Sequence, residues 1–258
     1  MIPKIIHYTW FSGEEMPSHI VECMDSWRKF LPNYEIRKWD MAAIEGIDAP
    51  YLKEALKAKK WAYASDFVRA YALYRYGGIY LDTDVMLYKS LDEYLNYSAF
   101  IGKETSIHFE GRQSSQYLTS HCFGAEQGHP FISDTLSYYM DRHFEMSKNQ
   151  NLPNSLRYNI VLMPYIQSEI ARIYGYQAAP SVQDIQHCKD GLTIFPSAVF
   201  DPDTLSSTSV CKHLALGSWR DTKSSEPCYS WRYKIEWRVM ALLQKLVTPF
   251  HYKLVKYQ

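Results

Sequence analysis

Hydrophobic and polar positions change rhythm several times along the 258 residues, and each change marks an element. Lys4 to Phe11, with Ile5-Ile6-His7-Tyr8-Thr9-Trp10 inside it, predicts a first strand that runs into a Ser12-Gly13 loop. From Ser18 to Leu31 the apolar residues Ile20, Cys23, Met24 and Trp27 share one helical face, with Ser18 as N-cap and Pro32-Asn33 as the stop. Tyr34 to Trp39 alternates as a second strand and ends at Asp40. Strand, helix and strand make a β-α-β unit, the opening of a Rossmann-type, nucleotide-binding half. In open α/β sheets ligands sit beyond the carboxyl ends of the strands, which is where Trp10 and Gly13 fall. Short helical pieces around Pro50 and a solvated basic run (Lys57, Lys59, Lys60) lead onward.

The stretch that follows, 61–86, organises the rest. Trp61 to Tyr76 contains neither Pro nor Gly and is rich in Ala, so it predicts one helix. Gly77 fits a left-handed C′ residue, and Gly78 lets the chain turn back. Ile79-Tyr80-Leu81 then forms a short apolar strand that delivers Asp82 and Asp84. Residues two apart in a strand face one side, so the two carboxylates converge on a hard oxygen site suited to Mg²⁺ or Mn²⁺. Asp66 and Arg69, spaced i and i+3, share a helix face among Ala62, Ala70 and Leu73. Such a pair reads either as a surface ion pair worth a few tenths of a kcal/mol or as a grip on sugar hydroxyls. Asp-x-Asp alone says little: Asp201-Pro-Asp203 is a second example, set in a Pro/Ser/Thr-rich loop with no strand before it.

The whole assembly, Ser65-Asp66-x-x-Arg69 followed by Gly77-Gly78-Ile79-Tyr80-Leu81-Asp82-x-Asp84, resembles the sugar-binding region of the Och1-like glycosyltransferases of family 32. It is also similar to the glucosyltransferase domains of the large clostridial toxins. The resemblance implies a GT-A-like α/β fold, with a Rossmann-type nucleotide-sugar-binding sheet flanked by helices and a helical C-terminal segment. It implies metal-dependent, retaining transfer of a hexose or N-acetylhexosamine from a nucleoside-diphosphate sugar, UDP-linked in the first reading. By the same match Asp66, Arg69, Asp82 and Asp84 are catalytic, and Asp82, Asp84 and His213 hold the metal. Thr9, Trp10, Ser65, Tyr80, Ser218 and Trp219 line the nucleotide sugar, with Trp10 on the base and Trp219 in a lid. An imidazole among the ligands argues for Mn²⁺ over Mg²⁺.

Beyond Asp84, Leu91 to Leu95 predicts a short helix, Ala99 to Gly102 a strand, and the polar 103–120 a loop that could cover an acceptor site. His121 to Ala125 is a strand, Pro130 opens a helix to about Phe144, and 145–158 is a polar linker. A helix over Asn159–Tyr174 carries Pro164 in its first turns, and Leu192–Phe195 and Cys211–Leu216 are late strands. Residues 1–229 are expected to form the transferase domain. The tail 230–258 reads as an amphipathic helix with six bases (Arg232, Lys234, Arg238, Lys245, Lys253, Lys256) against Glu236. That face suits an anionic membrane surface or docking on the sheet.

Composition narrows the partners. Lys+Arg and Asp+Glu both number 28, which speaks against a nucleic-acid binder. Aromatics at 16% supply both core and stacking surfaces. Five scattered cysteines without a C-x-x-C fit reduced thiols better than a disulfide framework or a zinc site. The first residues lack the features of a signal peptide, and no apolar run reaches 18 residues. The expectation is a cytoplasmic bacterial enzyme, peripheral at the inner face of the membrane. It would add sugar to a saccharide or lipid-linked acceptor for a capsule, lipopolysaccharide or other surface glycan. Two other readings compete: a non-catalytic sugar-binding module, and a haloacid-dehalogenase-type phosphatase, whose Asp-x-Asp-x-Val start is matched at Asp82. The phosphatase needs a longer apolar strand before the acids and a later acidic cluster, and the sequence offers neither.

Overall fold

The computed structural model describes residues 1–105, 117–178 and 184–215, together with the backbone of 108–109 and 112–113. In chain order the first elements are β1 (Ile5–Thr9), α1 (Ser18–Phe30), β2 (Glu35–Trp39), α2 (Pro50–Lys57), α3 (Trp61–Tyr76), β3 (Gly78–Leu81) and β4 (Val85–Leu87). A 3-10 turn at Asp92–Asn96 leads to β5 (Ala99–Lys103), the ribbon β6 (His108–Phe109) with β7 (Arg112–Gln113), and β8 (Leu118–Ala125). Then follow α4 (Pro130–Met140), α5 (Asn154–Arg157), α6 (Met163–Ile173), β9 (Gln186–His187), β10 (Leu192–Phe195), α7 (Ser197–Phe200) and β11 (Cys211–His213).

Seven strands form one mixed sheet in the order β2-β1-β3-β8-β5-β10-β9. The opening β-α-β unit is present, with β1 parallel to β2 and, on its other side, to β3. β8 runs antiparallel between β3 and β5, and β10 is parallel to β5. Side chains alternate between two apolar cores, one on each face of the sheet: Ile79 and Leu81 enter one and Tyr80 the other, as Phe100 and Ile101 do next door. Both faces are therefore covered, which is why these strands read as unbroken apolar runs. Helices α2, α3, α4 and α6 line the core that holds Tyr80, while α1, β4, β11 and α7 line the core that holds Ile79.

Helix α3 has no solvent face in its middle: every residue from Tyr63 to Ala70 is buried. The polar residues Ser65, Asp66 and Arg69 are thus inside the protein, and the surface ion pair allowed by spacing is not what forms. Gly77 ends α3 with φ 65°, but with ψ −169° it is extended rather than left-handed helical. A Cβ at Gly77 would lie 2.8 Å from the backbone nitrogen of Gln127, and one at Gly78 2.7 Å from the Ile5 carbonyl. Both glycines are demanded by close approach as well as by positive φ.

Several boundaries move for identifiable reasons. Pro17, not Ser18, occupies the cap of α1, and no side chain caps it. α6 begins at Met163 because Pro164 sits in the first turn, where its missing N–H costs nothing. α4 stops at Met140, and buried Phe144 follows outside the helix. The polar stretch before His121 is partly strand, since β8 already begins at Leu118. Strand β11 ends at His213, shorter than the run to Leu216. The tail 230–258, with Ser218 and Trp219 before it, lies outside the described residues. Cys23, Cys122, Cys188 and Cys211 are all free thiols.

Candidate functional site

Asp82 and Asp84 are not neighbours on a strand face. β3 ends at Leu81, and a tight turn closed by the Val85 N–H on the Asp82 carbonyl (3.0 Å) carries both acids. The turn, rather than strand periodicity, makes the carboxylates converge. The chain then enters β4, which pairs antiparallel with β11 so that His213 stands opposite Val85. The Leu214 N–H donates to the Asp84 carbonyl at 3.0 Å and fixes β11 beside the turn. One carboxylate oxygen each from Asp82 and Asp84 and one ring nitrogen of His213 all lie within 4.8 Å of one another.

His213 Nε2 is 3.1 Å from Asp84 Oδ1. Burial alone would lower the imidazole, but this hydrogen bond and the charges of Asp84 and Asp82 raise it above the ordinary histidine value. Two carboxylates and an imidazole, with no thiolate among them, fit a divalent cation such as Mn²⁺ and leave coordination positions for phosphate oxygens.

Asp82 also faces the opposite way, into a buried network. Arg69 Nη2 lies 3.1 Å from Asp82 Oδ1 and 3.4 Å from Asp66 Oδ1, so Arg69 bridges both acids and sits closer to Asp82. Arg69 also donates to the Ser120 carbonyl at 2.8 Å and to Ser65 Oγ at 3.1 Å, and its guanidinium covers the Tyr80 ring at 4.6 Å. The Tyr80 hydroxyl donates to Asp82 Oδ1 (3.0 Å) and meets Ser65 Oγ (2.8 Å) and Thr9 Oγ1 (3.2 Å); Thr9 and Ser65 also touch at 2.8 Å. Thr9, Ser65, Asp66, Arg69, Tyr80 and Asp82 therefore form one cluster where the ends of β1 and β3 meet α3.

Asp66 is the most perturbed carboxyl of this group. Burial pushes it up to about 7, against the pull of Arg69 and with the push of the Asp82 charge; the Met163 N–H at the start of α6 favours its ionised form. Burial also raises the Tyr80 phenol, which keeps it a hydroxyl donor. Trp10 stands at the end of β1, partly exposed, with Nε1 donating to the Glu14 carbonyl at 2.8 Å. The ring also packs against the core that holds Ile79.

The sequence-predicted site residues within the described part thus fall at this end of the sheet, in two adjoining groups with Trp10 apart from both at the end of β1. Two contributors were not legible: the Ser120 carbonyl that holds Arg69, and His121, whose ring stacks on His213 at 4.4 Å between centroids. Nothing in the apolar run His-Cys-Phe-Gly-Ala distinguishes a site histidine from a core one.

Comparison with known proteins bears on this end of the molecule. Residues 17–101 match the family model described as a glycosyltransferase sugar-binding region containing the DXD motif. The chain is 35% identical over 135 residues to inositol phosphoceramide mannosyltransferase 3 of Schizosaccharomyces pombe, a match covering 51% of this chain and 35% of that protein. It is 29% identical over 140 residues to mannosyl phosphorylinositol ceramide synthase SUR1 of Saccharomyces cerevisiae, covering 53% and 34%. An uncharacterized glycosyltransferase of Acanthamoeba polyphaga mimivirus is 33% identical over 106 residues, covering 39% and 42%. The matches therefore span well under half the length of these relatives. Among solved structures, the PaToxG glycosyltransferase aligns with a TM-score of 0.48 and 19% identity, over 67% of this chain and 69% of that one. Asp66, Arg69, Asp82 and Asp84 all lie within residues 17–101, the stretch that is similar to glycosyltransferase sugar-binding regions of the DXD type.

Proposed function

We propose that the protein is a metal-dependent glycosyltransferase that moves a hexose from a nucleoside-diphosphate sugar to a saccharide or lipid-linked acceptor. The observation that carries this reading is the convergence of Asp82, Asp84 and His213 within 4.8 Å, directly beside the buried Asp66–Arg69 pair. A divalent cation held there supplies charge neutralisation to the leaving diphosphate. The protein's own residues do the rest. In this reading Asp66 and Arg69, buried beside Asp82, set which sugar is accepted. Trp10 carries the base. Tyr80, Ser65 and Thr9 keep Asp82 aimed, so that no reorganisation is needed as charge develops. Retention of configuration follows the family resemblance. In that reading the acceptor attacks from the face the leaving group vacates.

The names of two relatives, which specify mannosyl transfer to inositol phosphoceramide, favour a mannosyl donor and a lipid-linked acceptor, and so set GDP beside the UDP expected from sequence. Contact of the tail with an anionic membrane, and a place in surface-glycan synthesis, belong to the same proposal. No helix among the described residues is long and apolar enough to cross a membrane. Calorimetric titration with UDP and with GDP, each with and without Mn²⁺, tests the reading. Metal-dependent binding of one nucleotide, followed by hydrolysis of its sugar conjugates, is expected. A folded protein that binds neither nucleotide would contradict it.

A further inference from the structure

The structure assigns to His121 the task of positioning His213, a role that rests on reading Asp82, Asp84 and His213 as a metal site. His213 belongs to β11 and reaches the site from a distant part of the chain. Its backbone is fixed by pairing with β4, but backbone pairing does not set the rotation of an imidazole about χ2, a broad torsion. The Nε2 contact with Asp84 bears on that rotation. A cation that takes Nε2 replaces that hydrogen bond, so the ring plane must then be held by what it packs against.

His121 supplies that surface. The two rings stack with centroids 4.4 Å apart and planes 26° from parallel. His121 is 4% exposed and is pinned through both nitrogens. Nε2 lies 3.0 Å from the Phe200 carbonyl, which can only accept, so Nε2 carries the hydrogen. The Thr119 hydroxyl lies 2.5 Å from Nδ1 and 3.0 Å from Nε2. With both nitrogens committed to β8 and α7, His121 is no metal ligand. It is a plate tied to the central sheet, and it transmits the sheet's rigidity to a residue on a two-stranded outlier. Histidine ligands commonly gain orientation from a partner on their second nitrogen; here the ring face does that work.

The test measures Mn²⁺ binding to the full chain by electron paramagnetic resonance, with no nucleotide present, and near-ultraviolet circular dichroism verifies folding of each variant. His121→Phe keeps a ring face and loses the hydrogen bonds. His121→Asn and His121→Ala lose the face, and Asn keeps a polar group at the position, which preserves a folded variant lacking the ring. Asp84→Ala reports on the metal site itself. The expected result is a wild-type Kd that Asp84→Ala abolishes, about tenfold or greater weakening in the Asn and Ala variants, and recovery to near wild type in Phe. Wild-type affinity in folded His121→Ala or His121→Asn would overturn the role of His121 and leave the metal site standing. Weakening in Phe equal to that in Ala would also overturn it, because the hydrogen bonds and not the ring face would then matter. Mn²⁺ binding that ignores Asp84→Ala would overturn the metal site on which the inference rests.

Discussion

Asp82 and Asp84 stand two residues apart in one turn, yet they are held by different parts of the molecule. Asp82 receives Arg69 and the Tyr80 hydroxyl, groups from within 13 residues of it in sequence. Asp84 faces His213, 129 residues away, across a strand pair that joins the turn to a late part of the chain. The first half is a largely buried, mutually hydrogen-bonded cluster where α3 meets β1, β3 and the Ser120 carbonyl of β8. The second is a partly exposed set in which Asp84 hydrogen-bonds His213, and in the proposed reading these atoms hold a divalent cation. Substitutions in the first half should therefore register in stability, and substitutions in the second in metal affinity and turnover.

The sharpest separation is expected from Asp84→Ala. In the proposed reading it removes a cation ligand, so turnover should fall on the order of 10³-fold, as loss of several kcal/mol of charge stabilisation implies. Its thermal melting should fall less than that of Arg69→Met, because the Asp84 side chain is tied to His213 rather than to the Arg69 network. Arg69→Met should do the reverse in kind: it strands the Asp82 carboxylate, and Asp66 wherever that is ionised, without their shared counter-charge, and a broken buried pair costs about 3–5 kcal/mol. Chemical denaturation would read that loss. If Asp84→Ala unfolds the protein while Arg69→Met does not, the division between the halves is wrong.

A pH series sharpens the same contrast. Asp66 holds its proton up to about 7 in the folded protein, whereas an unfolded aspartate releases it near 4. Between those values the folded state binds more protons, so Asp66 contributes stability below pH 4 that is lost as pH rises towards 7. Asp66→Asn should flatten that part of the stability profile, and an unchanged slope would contradict the burial argument. The smallest effect is expected of Tyr80→Phe. It keeps the ring under Arg69 but deletes the hydroxyl shared by Thr9, Ser65 and Asp82, worth about 1–2 kcal/mol in denaturation. Its effect on metal affinity should be smaller than that of any change at Asp84.

The same division explains what could be read from the sequence. Helix α3, the double glycine and the apolar strand before Asp82 lie in one contiguous stretch, and local pattern suffices for them. Burial of the Asp66–Arg69 pair was not legible, because α3 has helical spacing but no polar face, and only α2 and α4 closing over it decide the matter. The convergence of Asp82 and Asp84 was expected for the wrong local reason: a turn produces it, since the chain leaves the main sheet at Asp82 to pair with β11. His213 could be placed only through its resemblance to a known motif. His121 could not be placed at all, since strand periodicity gives a buried histidine no mark that separates it from a packed one.

The most direct test of the central claim is a crystal of the full chain grown with MnCl₂ and a nucleoside diphosphate, measured at the manganese absorption edge. The account predicts one anomalous peak between the carboxylates of Asp82 and Asp84 and the imidazole of His213, with the diphosphate completing its coordination. A peak elsewhere, or a bound nucleotide with no manganese at that point, would contradict it.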